Sequence, residues 1–395
     1  MARIASVTTK MTRTRPVLRR PGRFSWADVR QGLFFLDCRA ARAAAGTVGA
    51  IGRGGRFRIW SETGEDLDTL VQDLDAAGWS AMADVLAGDP PSGPSRLMTF
   101  DNREAFAAYH RPLRAYRLGP FACISGWRSP RVAVCREEVD CFPSEVRDAL
   151  ALALGYTLAQ ARVRASSPKW VLHGLTFRVA TRVAWATRAP GWQVRFLRAA
   201  LFRGELATAV ELFDQVDELF AEGSNADGRT DLGWLRFAAQ SASLIDFLAE
   251  TNRPKWDDFV ARLSSTRDPL QLCEAVFRRF PDDLIVDWVD WFRQRDPGPH
   301  LEPPPTVRTE IDRLTGVIRD AAGPTSARMA AIRRLARGGH AWGCRAVIEV
   351  VDNDNVELSE AAVRALEDIS GERQGDTASA WSRWLADLPV NAAGS

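Results

Sequence analysis

Histidine is scarce in this chain: there are four in 395 residues, His110, His173, His300 and His340. No two of them stand four apart, so neither H-E-x-x-H nor its inverted form can be written in any register. A C-x-x-C pair is missing too. The six cysteines (Cys38, Cys123, Cys135, Cys141, Cys273, Cys344) are spread along the chain, which argues against a zinc knuckle or a disulfide framework and leaves them as core or surface thiols. Cys135 and Cys141 are the one pair that an oxidising compartment could join. There is no G-x-S-x-G elbow and no Gly-Lys-Ser/Thr ending. The glycine-rich stretch holding Gly46, Gly49, Gly52, Gly54 and Gly55 therefore reads as a turn into a strand, not as a phosphate loop. No apolar run reaches bilayer length; the nearest candidate, Gly32 to Ile51, is broken by Asp37, Arg39 and Arg42. The first thirty residues also lack the apolar segment of a secretory signal. The expectation is a cytoplasmic protein with no membrane partner.

What is present is ordinary for a soluble globular chain: 46% apolar residues, 26% charged and a net charge of +2. The length suggests two or three structural units with ample material for a core. Residues 1–30 hold eight arginines and lysines against Asp28 alone. This basic tail is expected to be solvated and without stable structure. It is the sole feature that could touch nucleic acid, and no interleaved aromatics support base stacking, so a nucleic-acid partner is not expected.

From residue 31 the pattern is mixed. Arg56 to Trp60 alternates like a half-buried strand, and Glu65 to Leu86 has apolar residues at helical spacing. Arg96 to Phe100 reads as a strand, followed by a short helix to Tyr109 capped by Asp101 or Asn102. Phe121 to Trp127 and Arg131 to Cys135 are further strands. After Pro143 the periodicity is helical, with helices over Glu145 to Arg164, Pro168 to Trp185, Glu205 to Ala221, Leu232 to Glu250, Trp256 to Leu263, Pro269 to Phe280 and Leu284 to Arg293. The segment from Asp296 through Pro303-Pro304-Pro305 cannot sustain a helix, because proline lacks an amide hydrogen and clashes with the preceding turn. It is read as a linker. Beyond it, Ala327 to Ala336, Ala341 to Val351, Glu360 to Ile369 and Ala378 to Ala386 form short paired helices that resemble HEAT-type repeats. Two pairs cannot bury their open faces alone, so this tail should dock on the body or on a partner. The fourteen tryptophans, Trp288, Trp291, Trp381 and Trp384 among them, are expected to fill space between helices.

The order of strands and helices before the linker, and the Pro168-Lys169-Trp170-Val171-Leu172-His173-Gly174 pattern, resemble the gluzincin zinc-peptidase family with an α-helical C-terminal subdomain. In that family one helix bears H-E-x-x-H, whose histidines at i and i+4 grip one zinc ion while the glutamate activates its water. A second helix, with a Pro-x-Trp-hydrophobic-x-Glu-Gly pattern, supplies the third ligand. The resemblance covers roughly residues 55 to 295 and places Leu154, Gly155 and Leu158 where the family has His, Glu and His. It places His173 where the family has the ligand glutamate, and it keeps Pro168, Trp170 and Gly174 as a cleft motif. The fold it implies is α+β: a zincin-like mixed sheet with active-site helices over 31–187, an α-helical subdomain over 188–295, a Pro-rich linker over 296–306 and a HEAT-like tail over 307–395. No metal ligand set and no cofactor are expected. The implied function is that of a non-catalytic pseudopeptidase binding a peptide or protein partner, with the family's substrate edge falling in Phe121 to Cys135. The alternative is an enzyme with relocated, metal-independent hydrolytic chemistry around His173, which would need a carboxylate within about 2.6–3.2 Å of the imidazole.

Overall fold

The structure is a computed structural model. It describes residues 26–47, 49–53, 57–62, 72, 80, 95–111, 116–117, 122–125, 131–135, 151, 154–156, 158–159, 168–183, 189–213, 229–263, 265–266 and 268–389. The chain opens with helix α1 (Trp26–Ala45), which begins inside the span expected to be a structureless tail. Strands β1 (Ala50–Arg53), β2 (Phe57–Ser61) and β3 (Ser95–Phe100) follow. Helix α2 (Arg103–His110) comes next, then β4 (Tyr116–Arg117), β5 (Ala122–Ser125) and β6 (Arg131–Cys135). Asn102, not Asp101, caps α2: its side chain accepts the Ala105 amide at 2.8 Å. The helix expected over Glu65 to Leu86 lies almost wholly outside the described residues, although Gln72 and Ser80 are helical.

The six strands form one mixed sheet in the order β1-β2-β3-β6-β5-β4. The central β2, β3 and β6 run parallel, and the outer strands pair antiparallel. Because side chains alternate with period two, the register sorts the core into two layers. Ile59, Leu97 and Val132 face one way and join the large core of the helical body. Trp60, Met98 and Ala133 face the other way, where α1 and α2 cover them with Cys38, Ala41, Phe106 and Tyr109. A buried ion pair between Arg96 of β3 and Asp37 of α1 ties that outer layer to the sheet. Removing either partner would take this contact from a buried charge, and breaking a buried pair typically costs about 3–5 kcal/mol.

The body then becomes helical: α3 (Lys169–Val183), α4 (Trp192–Phe202), α5 (Ala209–Phe213), α6 (Arg229–Thr251), α7 (Arg253–Leu263), α8 (Pro269–Phe277) and α9 (Pro281–Arg293). Helix α4 has no counterpart in the sequence reading. Its buried set, Trp192, Arg195, Phe196, Leu197, Ala199 and Ala200, wraps most of its circumference and leaves no clean apolar stripe. Helix α8 ends before Phe280, where Arg278 takes a left-handed conformation with φ 56°.

The C-terminal array comprises α10 (Pro305–Arg319), α11 (Thr325–Gly338), a 3-10 turn (Ala341–Gly343), α12 (Cys344–Ile348), α13 (Val356–Ser370) and α14 (Ala378–Ala386). It has a core of its own around Ile311, Ile332, Leu335, Val347, Leu366 and Trp381. Helix α10 starts within the stretch read as a linker, since proline at the first helical position sacrifices no bonded amide. The irregular residues before it are pinned to the body. Arg195 of α4 donates to the Pro190 and Gly298 carbonyls, each at 2.6 Å, and Arg198 of α4 donates at 2.5 Å to the Arg295 carbonyl. The array docks on the body through α13, which packs along α4. The chain is therefore an α+β protein dominated by helices. No helix among the described residues is long and apolar enough to cross a membrane.

Candidate functional site

The positions singled out by the motif comparison do come together, and they do so inside the core. Residues 151, 154–156 and 158–159 are helical, and Leu154 and Leu158 are each 1% exposed. They belong to the same apolar cluster as Trp170, Leu172 and Leu175 of α3. Pro168, at the start of α3, is also buried, and Trp170 packs edge-on to Phe213 of α5 and stacks on Phe259 of α7. Instead of lining an open cleft, Pro168 is buried, Trp170 fills the space between α3, α5 and α7, and Gly174 lies where α3 meets α6.

Two glycines set the distances. A Cβ on Gly155 would lie 2.5 Å from the Thr176 carbonyl oxygen and 3.0 Å from its Cα, so the helix carrying Gly155 presses directly on the backbone of α3. On the far side of α3, a Cβ on Gly174 would meet the Ser241 carbonyl carbon at 2.8 Å and the Ile245 side chain at 2.7 Å, so α3 presses equally closely on α6. Three helices are thus stacked through small residues, with Thr176 and Ser241 buried at the contacts. Arg178 of α3 reaches Asp246 of α6 at 2.6 Å and adds an ion pair along the second contact.

His173 lies between these contacts and is 2% exposed. Its Nδ1 is 2.9 Å from the Tyr156 hydroxyl, and its ring stands edge-on to Tyr156 and Phe237. Burial, reinforced by the positive charge of Lys169, pushes its pKa down to about 3. A neutral imidazole held by a phenol in an apolar setting is a satisfied core residue. A general base working near neutral pH would instead need a pKa close to that pH and a path to substrate.

A zinc ion does not fit here. Leu154, Gly155 and Leu158 present no donor atom, and a glutamate at position 155 would have to pass through the Thr176 backbone. Among the described residues no group of three His, Cys, Asp or Glu side chains is placed to hold a metal ion. No protein-family model matches the chain, and no curated protein matches it.

The stretch Phe121 to Cys135, expected to offer an edge, holds strands that are flanked on both sides. Strand β6 is flanked by β3 and β5, and β5 is itself paired to β4 at Cys123 and Ile124. That end of the sheet is closed by the two-residue strand β4, a segment too short to stand out in the sequence pattern.

The sequence reading missed a charged cluster where the array meets the body. Arg203, just beyond α4, binds Glu205 at 3.1 Å, Glu367 at 3.0 Å and Asp368, the last two near the end of α13. Arg236 of α6 reaches Glu205 at 3.3 Å, and Arg364 of α13 also pairs with Glu205. Burial opposes the Arg203 charge, but the Asp368, Glu367 and Glu205 carboxylates outweigh it and hold its pKa above the usual arginine value. Burial likewise opposes the Glu205 charge, and Arg236, Arg203 and Arg364 together hold its pKa below the usual carboxylate value. His300, beside this junction, sits edge-on to Trp384; burial, then Arg195 and His340, push it down to about 3. A stretch such as Leu366-Glu367-Asp368-Ile369 carries no signal of this role, because its arginine partner stands more than 160 residues earlier.

Proposed function

We propose that this protein is a non-catalytic relative of the gluzincin peptidases, a pseudopeptidase that works as a protein- or peptide-binding scaffold in the cytoplasm. The observation that carries the reading is the fate of positions 154, 155, 158 and 173. In the peptidase register these are the metal ligands and the general base; here they are two leucines and a glycine at a helix crossing and a neutral histidine bonded to Tyr156. The helix crossing leaves no volume for the missing carboxylate. The mixed sheet preceding the paired helices supports the kinship, and the helical-repeat array supports a binding role, since stacked helix pairs present extended faces.

The test uses the full-length protein. Metal content by plasma mass spectrometry should show no stoichiometric zinc, and a peptide library should survive incubation uncut. Cross-linking of captured partners should map to exposed faces, outside the contacts of Gly155 and Gly174. One tightly held zinc per chain, or cleavage that disappears in His173→Ala while the fold persists, would overturn the reading. The second result would favour relocated hydrolytic chemistry around His173.

A further inference from the structure

We propose that the joint between the helical body and the C-terminal array is an acid-opened latch, in which a proton on His300 releases the array from α4. The proposal is independent of kinship with the peptidases. Body and array have separate apolar cores. The surface between them is polar: Arg195 of α4, His300 ahead of α10, Arg337 and His340 at the end of α11, and Glu367 and Asp368 of α13 are all buried. Units with cores of their own and a polar interface can part without either one unfolding.

Close backbone contacts bring His300 into this joint. A Cβ on Gly191, just before α4, would lie 1.8 Å from the Pro297 carbonyl oxygen. Arg195 donates to the Gly298 carbonyl at 2.6 Å, which holds the chain two residues ahead of His300. On the array side, a Cβ on Gly371, just after α13, would lie 2.8 Å from the Arg195 Cα. The Ala189 amide donates to the Gly338 carbonyl at 2.9 Å, a direct bond from the body to α11. The His300 ring stands edge-on to Trp384 of α14.

This setting opposes a proton. The His300 Nδ1 is buried and has no hydrogen-bond partner among the described residues. Burial, then Arg195 of α4 and His340 after α11, hold the His300 pKa down to about 3. The nearby carboxylates act on other groups: Asp296 and Glu372 on Arg195, and Asp368 on Arg203 and Arg337. Released to water, the imidazole would return to roughly 6.5. Between those values the open form binds the extra proton, so opening is favoured as pH falls below 6.5, by about tenfold per pH unit and about 30-fold at pH 5. Glu205, held low by its arginines, acts in the same sense, whereas Asp368, raised by burial, acts against it. Variants at position 300 keep both carboxylates, so comparison with the wild type isolates the histidine.

The experiment is hydrogen exchange with mass spectrometry on the full-length protein from pH 7.5 to 5, with rates corrected for the intrinsic pH dependence of exchange. The peptide carrying Ala189 reports the joint, and peptides around Ile245 and Ile332 report the two cores. In the wild type, protection at Ala189 should fall about 30-fold between pH 6.5 and 5 while both cores stay protected. His300→Phe keeps an aromatic edge against Trp384 and cannot titrate, so it should hold the Ala189 protection level across the range. His300→Gln, smaller and polar, should do the same and covers a failure of phenylalanine to fit. Protection at Ala189 that does not change with pH, a fall that both variants retain, or a loss that spreads equally to the two cores would each overturn the proposal.

Discussion

A Cβ placed on Gly155 would lie 2.5 Å from the carbonyl oxygen of Thr176, a separation that real side chains do not tolerate. Gly155→Ala should therefore push the two helices apart in a packed core and destabilise the protein by about 1–3 kcal/mol. Urea titration would register this as a lower midpoint at unchanged slope. A chain carrying Leu154→His, Gly155→Glu, Leu158→His and His173→Glu together should lose its fold and not acquire tight zinc binding. Wild-type stability in Gly155→Ala would show that these helices are not in contact.

Tyr156 and His173 form the polar pair inside this crossing, and they predict a pH dependence. The His173 pKa is about 3 in the folded protein, below the roughly 6.5 of an unfolded chain. Between those values the unfolded chain binds the extra proton, so the stabilisation is complete above pH 6.5 and is lost as pH falls toward 3. The slope is at most about 1.4 kcal/mol per pH unit from this residue. His300, also pushed to about 3, adds a second contribution of the same sign. Replacing both members of the pair, Tyr156→Phe with His173→Phe, should flatten the His173 part of the slope, because no group that titrates between pH 3 and 6.5 is left at that position. Tyr156→Phe alone should cost about 1 kcal/mol. Stability curves at pH 7, 6 and 5 would separate these outcomes.

Arg203 is the hub joining body and array. Arg203→Ala takes from Glu367 and Asp368, near the end of α13, the guanidinium that bonds both, leaves Arg364 and Arg236 as the cations near Asp368, and should cost about 3 kcal/mol. The loss should be local to the junction. Limited proteolysis should gain cuts within 295–304, the segment that Arg198 holds at Arg295 and Arg195 at Gly298 in the intact protein. An unchanged digestion pattern would argue that docking depends on apolar contacts alone.

The same junction depends on Gly339. It ends α11 with φ 69°, and an added Cβ would strike the Trp192 ring of α4. Gly339→Ala combines left-handed strain of about 1 kcal/mol with a steric clash, so it should lower the melting temperature more than Gly316→Ala, which meets open space. Calorimetry of the two variants side by side is the check.

Several elements were legible in the sequence because their signals are local. Strand β6 and helix α14 have the bounds that alternation and helical spacing suggest, and the N-cap of α2 is Asn102, one of the two residues, with Asp101, that the sequence offers. Helix α4 was not legible: with Arg195 buried beside Trp192 and Phe196, its charge pattern contradicts its burial. Helix α10 was hidden by the run Pro303-Pro304-Pro305, which reads as a helix breaker until its last proline is seen to start the helix. At the candidate site, the absence of ligand-type residues at 154, 155 and 158 was plain from the sequence, but the burial of His173 was not. A lone histidine before a glycine looks the same whether it lines a cleft or fills a core.

The sequence by itself determined that no histidine pair stands one helical turn apart, because that is a matter of spacing alone. It also determined the change from mixed α/β to helical pattern after the first third of the chain, since period-two and period-3.6 patterns are properties of neighbouring residues. Only the tertiary structure decided that the helices around Gly155 and Gly174 are pressed together, that His173 is neutral against Tyr156, and that Arg203 clasps carboxylates more than 160 residues away. Those facts depend on which distant surfaces meet. A helix crossing too close for any side chain but hydrogen, or a buried ion pair, is created by the approach of two segments, and neither segment carries the record of it alone.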